Sequence, residues 1–285
     1  KAIEHSIPDW LAETFEKELG KNWEREMLAL NEQAPTVLRT NTLKTTPREL
    51  IADLNDENVE AFTIKKYPDA VQLAEKKNVF LTSAFKDGLF EVQDASSQKI
   101  GELLDVKEGM RVVDVCAGAG GKTLHLAALM KNKGQIIALD IYEWKLAELK
   151  RRAKRAGAHN IETRMIADNK VIKRLHEKAD RLLIDAPCSG LGVLKRNPDS
   201  KWKIDQAFID RIKTEQQQIL QDYSKILKKG GQMIYATCSI LPSENNEQVE
   251  IFLKNNPDFT LLKDEKIMPS EGYDGFYMAL IKRNE

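Results

Sequence analysis

Three carboxylates and two thiols are spaced so that a suitable fold would gather them at one place. Asp140 ends the apolar run IIALD, Asp168 ends RMIAD and Asp185 ends LLIDAP; Cys188 follows in DAPCSG, and Cys238 closes the run YATCS. If these runs are strands of one mainly parallel sheet, their carboxyl ends share the edge where open α/β sheets take their ligands. Asp140 lies about twenty residues beyond a glycine cluster, the spacing at which a strand-end acid accepts hydrogen bonds from ribose hydroxyls. A single acid at a strand end is usually a turn or cap residue. Three at matched positions point instead to a ligand that carries a ribose.

The glycine cluster, CAGAGGKT at residues 116–123, resembles a phosphate loop but fails the test for one. A Walker A loop needs a glycine five residues before Gly121, and Cys116 stands there. The dinucleotide pattern G-x-G-x-x-G finds Gly118 and Gly120, then Thr123 in place of its third glycine. The apolar MRVVDVCA before it and the helically spaced KTLHLAALMK after it make the cluster a strand-to-helix turn. The ribose-bearing cofactor that needs no phosphate loop is S-adenosylmethionine, whose sulfonium suits a turn surrounded by carboxylates.

Thiols at such an edge suit a particular reaction. C5 of a pyrimidine is too weakly nucleophilic to take a methyl group until a thiolate adds at C6 and makes it enolate-like. Cysteine, with an ordinary pKa of about 8.5, is partly ionised at neutral pH and strongly nucleophilic. After transfer a base removes the C5 proton and the thiolate leaves. Taken alone, either cysteine also reads as a small buried side chain. Only Cys116, Cys188 and Cys238 occur, without C-x-x-C spacing, so reduced cytoplasmic thiols are expected, with neither a disulfide framework nor a metal site.

From residue 110 onward strand and helix patterns alternate. RVVDV, GQIIALDI, IETRMIAD, RLLIDAP, GQMIYATCS and GFYMALIKR read as strands; helices are expected from residue 122, over EWKLAELKRRAKRAG, over 207–229 and over ENNEQVEIFLKNNP. This predicts an α/β fold, a mainly parallel sheet covered by helices on both faces. Residues 1–95 differ: amphipathic helices over 7–19 and 22–31, an alternating TVLRTNTLK run, a helix opening at TPRELIADL, and short strands near 61–64 and 71–73. They predict a small α+β domain, with residues 96–285 forming the larger one.

The 285 residues are 42% hydrophobic and 31% charged with zero formal net charge, so a globular chain is expected and no nucleic-acid signal comes from composition. No apolar run approaches the roughly 18 residues of a membrane span, and the charged first twenty residues do not read as a signal peptide. The basic cluster KLAELKRRAKR reads as a solvated helix face. The chain starts at Lys1 rather than a methionine, which leaves room for a preceding segment; no further domain is expected after the last strand.

Four blocks in order, VQDASSQ (92–98), DVCAGAGGKT (114–123), DAPCSGLGVLKRNPDSKW (185–202) and YATCSILPSENNEQV (235–249), closely resemble the Sun/Nop (Fmu-like) family of RNA cytosine-C5 methyltransferases. PTVLRTNTLK from Pro35 resembles that family's N-terminal RNA-binding segment, so the resemblance covers nearly the whole chain. It implies a Rossmann-like class I methyltransferase sheet using S-adenosylmethionine. It makes Cys238 the nucleophile and Cys188 the thiol that frees the nucleophile for product release. Cys116, Ala117, Gly118, Ala119, Gly120, Gly121 and Lys122 would hold the methionine part of the cofactor, Asp140 the ribose and Asp168 the adenine. Asp185 would stand between cofactor and cytosine, and Lys122 would help position or activate the base. Arg39, Asn41, Lys195, Arg196 and Trp202 would contact RNA. Ala119 replaces the family's usual proline, and Lys195 stands where arginine is commoner and cannot reproduce its bidentate fork.

Ribosomal RNA is the expected substrate by family analogy, with transfer RNA the alternative and a monomer the expected state. Cytosine-C5 DNA methylases use the Pro-Cys thiol as nucleophile, usually followed by glutamine. Here Ser189 follows Cys188 and a second thiol is present, which favours RNA. A nucleotide hydrolase lacks its first glycine. A non-catalytic RNA-binding module on the same fold predicts the loss of a site residue, and none is lost.

Overall fold

The computed structural model describes residues 6–285. Two helices, α1 (Asp9–Leu19) and α2 (Trp23–Leu30), precede β1 (Val37–Thr40), α3 (Pro47–Asp56), β2 (Ala61–Ile64), β3 (Tyr67–Leu73), α4 (Ser83–Lys86), β4 (Phe90–Val92) and α5 (Ala95–Leu104). The four strands form an antiparallel sheet in the order β2-β3-β1-β4. The TPRE sequence starts α3 by a capping box: the Thr46 hydroxyl accepts from the Glu49 N–H, the Glu49 carboxylate accepts from the Thr46 N–H, and Pro47 supplies a helical φ. Leu50 and Leu54 of α3 then pack on Leu38, Val71 and Phe90 of the sheet.

The second sheet comprises β5 (Arg111–Asp114), β6 (Gln135–Asp140), β7 (Ile161–Met165), β8 (Ala179–Asp185), β9 (Leu227–Thr237), β10 (Phe259–Ile267) and β11 (Phe276–Arg283), in the order β10-β11-β9-β8-β5-β6-β7. Strands β5 to β9 are parallel, while β11 runs antiparallel to both β9 and β10. Between them lie α6 (Gly121–Leu129), α7 (Glu143–Ala156), α8 (Asn169–Lys173), α9 (Gln206–Tyr223) and α10 (Asn246–Asn255). The twofold period of strands divides the core. Val112, Ile136 and Leu183 face Ile100 of α5, Leu124 of α6 and Leu149 of α7, whereas Val113, Ile137 and Leu182 face Ile172 of α8, Leu220 of α9 and Phe252 of α10. The result is the Rossmann-like three-layer arrangement. Its strand order reverses where β5 lies between β6 and β8, the switch point at which such sheets bind ligands.

The structure departs from the sequence reading at several points, and α4, β4 and α5 match no expected element. The helix expected over 207–229 ends at Tyr223, and Leu227 to Gly231 already belong to β9. Strand β10 has no counterpart among the expected strands: on this edge strand only Phe259 and Ile267 are buried, so no alternation marks it. The five-residue α8 is too short to show a period. Finally, α1 and α2 join the larger unit, since Leu11, Phe15, Trp23 and Met27 pack with Leu191, Leu194, Ile209 and Ile240. The expected residue 1–95 unit therefore holds a four-stranded sheet and a helical pair that is seated elsewhere.

Candidate active site

The β5–α6 turn is shaped by its glycines. Gly118 and Gly120 have φ of 55° and 87°, and a Cβ on Gly120 would come within 2.5 Å of the Leu149 side chain, so no other residue fits there without displacing α7. Gly118 N–H donates to Asp140 Oδ2 at 2.9 Å and Tyr142 N–H donates to Asp140 Oδ1 at 2.9 Å, which aims the carboxylate along the rim of a cavity of about 530 Å³. Its walls carry the carboxylates of Asp140, Asp185, Glu215 and Asp222 beside Lys145, with Ile141 and Ile166 offering apolar surface. Four acids repel a phosphate and suit a cation. The residues present therefore fit S-adenosylmethionine: Asp140 to its ribose, the apolar wall to its adenine and the acids to its positive charges.

Asp168 stands at the start of α8, next to residues of the cavity wall. It is exposed and its carboxylate accepts from Lys170 N–H at 2.7 Å, capping α8, while its neighbours Ile166 and Asn169 line the cavity. Cys116 also lines that cavity, and burial followed by the charge of Asp114 pushes its thiol well above the ordinary range.

A second cavity, of about 260 Å³, opens beside the first. Lys122, Cys238, Asp94, Arg196, Asp274 and Phe276 are among its walls. The two cavities meet at an ion pair: Lys122 Nζ donates to Asp185 Oδ2 at 2.6 Å, with Lys122 on the second wall and Asp185 on the first. Burial is the largest influence on Lys122 and lowers its pKa, but the Asp185 charge and hydrogen bond outweigh it, and the net shift is upward. Lys122 is thus a held ammonium, also 5.3 Å from the Phe276 ring centroid.

The two thiols face each other with Cys188 Sγ 3.3 Å from Cys238 Sγ. The hydrogen bond to Cys238, reinforced by burial, raises Cys188 well above the ordinary thiol range. Cys188 therefore holds its proton and can donate it toward the Cys238 sulfur. Glu244, fully buried, ties the two cysteine-bearing loops together: it accepts from Ser189 N–H at 2.8 Å, from Ser239 Oγ at 2.6 Å and from Gln216 Nε2 at 3.0 Å. Asn245 adds a bond from its Nδ2 to Ser239 O at 2.9 Å.

Residues 102–282 match the family described as 16S rRNA methyltransferase RsmB/F, and residues 7–80 match its RsmF/B-like ferredoxin-like domain. The chain belongs to the RsmB/F methyltransferase family. It is 34% identical over 97% of its length to the ribosomal RNA small subunit methyltransferase B of Proteus mirabilis, covering 65% of that protein. A similar protein of Synechocystis, named a probable ribosomal RNA small subunit methyltransferase B, is 36% identical over 90% of the chain and is covered to 58%. The chain thus spans less than two thirds of the length of these relatives. Among solved structures, the one described as PH0851 is 32% identical with a TM-score of 0.94, over 99% of this chain and 67% of that one.

Within the RsmB/F frame, the expected RNA contacts divide. Trp202 is 58% exposed, free to stack on a base. Arg196 lines the second cavity but is paired, Nη2 to Asp94 Oδ2 at 2.7 Å and Nε to Asp274 Oδ2 at 2.6 Å. Arg39, Asn41 and Lys195 turn inward, correcting the expectation for them. Arg39 is 1% exposed and donates to Gln93 Oε1 at 2.7 Å and to Gly121 O; Asn41 Nδ2 donates to Gly88 O and Ala156 O, both at 2.8 Å; Lys195 Nζ donates to Pro269 O at 3.0 Å. Each thus donates to groups inside the protein. Asp94, Asp274 and Glu244 are site residues that sequence reasoning missed; Asp94 stood inside the VQDASSQ block and Glu244 inside YATCSILPSENNEQV, while no pattern marked Asp274. Among the described residues no helix is long and apolar enough to cross a membrane and no acid, histidine and cysteine cluster could hold a metal ion.

Proposed function

We propose that this chain methylates C5 of a cytosine in small-subunit ribosomal RNA through a covalent adduct between Cys238 and cytosine C6. The observation that carries the reading is the pair of cavities joined at Lys122 and Asp185, one walled by acids and the other lined by Cys238, whose sulfur is in contact with that of Cys188. The names of the relatives support ribosomal RNA as substrate. S-adenosylmethionine in the first cavity supplies an electrophilic methyl group.

The chain's own residues do the rest. The target base leaves its stack and enters the second cavity. Cys238 gives up its proton to solvent and its sulfur forms a bond to C6; the electron pair displaced onto C5 takes the methyl group, whose bond to the sulfonium breaks and would leave S-adenosylhomocysteine. Lys122, held protonated by Asp185, donates a hydrogen bond to the polar edge of the ring and stabilises the charge that develops there. A base then removes the C5 proton, the C5–C6 double bond re-forms and the Cys238–C6 bond breaks. Cys188, its sulfur 3.3 Å from the departing one, assists that release by donating its proton.

RNA containing 5-fluorocytidine tests this directly, because fluorine at C5 cannot leave as a proton and the adduct cannot collapse. The expected result is a protein–RNA species that survives denaturing electrophoresis, requires S-adenosylmethionine and disappears in Cys238→Ala. An adduct that persists in Cys238→Ala and disappears in Cys188→Ala would reverse the two assignments.

A further inference from the structure

The glycine turn has little rigidity of its own, since Gly118, Gly120 and Gly121 are three of its four central residues and glycine loses the most freedom on ordering. The small four-stranded sheet supplies that rigidity from outside. Arg39 of β1 donates through one Nη to the Gly121 carbonyl and to Gln93 Oε1. Glu91 of β4, buried, accepts two bonds from Arg152 of α7, at 3.1 and 2.8 Å, and Arg155 adds another at 2.5 Å. Arg152 passes the constraint on, its third donor reaching the Ala119 carbonyl at 2.8 Å. Asp69 of β3 completes the contact, 3.2 Å from the buried His125 of α6.

We propose that Arg39 and the Glu91–Arg152 pair are positioning residues for the methyltransferase site: the small sheet clamps the cofactor turn at Ala119 and at Gly121 and so couples its own docking to cofactor binding and to the aim of Lys122. The inference rests on the cofactor reading proposed above. The two arms act on different atoms. Arg152 holds Ala119, next to Gly118 whose N–H fixes the Asp140 carboxylate on the cofactor cavity, whereas Arg39 holds Gly121, the peptide from which Lys122 reaches Asp185. Arg39 keeps its charge even though it is buried. Desolvation pulls its pKa down to about 10, Glu91 opposing, so it remains protonated at neutral pH.

The distinction gives a test with separable readouts. S-adenosylmethionine affinity is measured by calorimetry, and the single-turnover methylation rate at saturating cofactor by labelled methyl transfer, for wild type, Arg152→Ala, Arg152→Lys and Arg39→Lys. Melting curves confirm that each variant is folded. Arg152 lies part-exposed on a helix, where alanine and lysine are good helix formers, so those variants keep the test open if Arg39→Lys does not fold. The clamp predicts that Arg152→Ala weakens cofactor binding about tenfold, a loss expected for charge-assisted bonds, with its rate at saturation near wild type. Arg152→Lys recovers only part of the affinity, because one ammonium cannot serve Glu91 and Ala119 as a fork does. Arg39→Lys shows the reverse split, with near-normal affinity and a rate about tenfold lower. Folded variants with wild-type affinity and rate would overturn the clamp alone. A wild-type protein that binds no S-adenosylmethionine would overturn the cofactor reading and the clamp with it.

Discussion

The cavity under Asp140 is assembled from strand ends that are neighbours in the sheet, whereas the cavity around Cys238 draws Arg196 onto Asp94 and Asp274 from 102 and 78 residues away. The first is acidic and held by backbone N–H groups; the second is held by buried side-chain pairs and by the Glu244 network. On the proposed reading, the difference follows from what each receives. A small cationic cofactor is met by backbone geometry that any parallel α/β sheet provides at its switch point. A base extruded from RNA needs a nucleophile, a proton donor and a closed polar rim, which only long-range side-chain contacts assemble.

If the two cavities divide the work in this way, substitutions should separate them. Cys238→Ala should reduce methyl transfer by more than about 10³-fold, as loss of a covalent nucleophile does, while calorimetry finds cofactor affinity unchanged. Cys188→Ala should slow turnover by about 10²-fold by stalling release, leaving an adduct visible on a denaturing gel with ordinary RNA. A variant that turns over slowly without any adduct would remove Cys188 from the release step. On the other side, Asp140→Ala should weaken cofactor binding about tenfold or more, through lost charge-assisted bonds to the ribose, yet leave the rate at saturating cofactor close to wild type. Trp202→Ala should raise the KM for RNA about three- to tenfold, the worth of one stacked base, and leave cofactor affinity alone.

The smallest expected effect is one of stability. Asp114 lies buried beneath the glycine turn, accepting from Thr123 Oγ1 at 2.7 Å, and burial raises its pKa from 3.8 to about 7. The folded state then holds this proton more tightly than the unfolded chain. Its contribution is fully present below pH 3.8, falls as pH rises toward about 7, and is gone above that. Asp114→Asn should therefore gain melting temperature relative to wild type as pH rises across this window. A gap that stays constant with pH would show that Asp114 ionises as readily folded as unfolded.

The same contrast explains what was legible beforehand. Asp140, Asp185 and the glycine turn could be read because each follows an apolar run of strand length, and the alternation of runs gives the sheet. Cys188 and Cys238 could be placed on the shared edge by the same logic, and their contact follows from β8 lying beside β9. Arg39 and Asn41 were expected at RNA only through the resemblance, which carries no information on which way a side chain turns; in the fold both reach across to α6 and α7. Asp274 and Glu244 carried no periodic signal, since both lie in turns whose partners are fixed only by the completed fold. Asp168 looked like Asp140 in sequence, but a helix starts one residue later and takes its carboxylate as a cap.

The most direct measurement of the central claim is to incubate the protein and its Cys238→Ala variant with methyl-labelled S-adenosylmethionine and unmodified small-subunit ribosomal RNA, then digest the RNA and identify the labelled nucleoside by mass spectrometry. The expected result is label in 5-methylcytidine with the wild-type protein and none with the variant. Label in any other nucleoside, or 5-methylcytidine formed by Cys238→Ala, would contradict it.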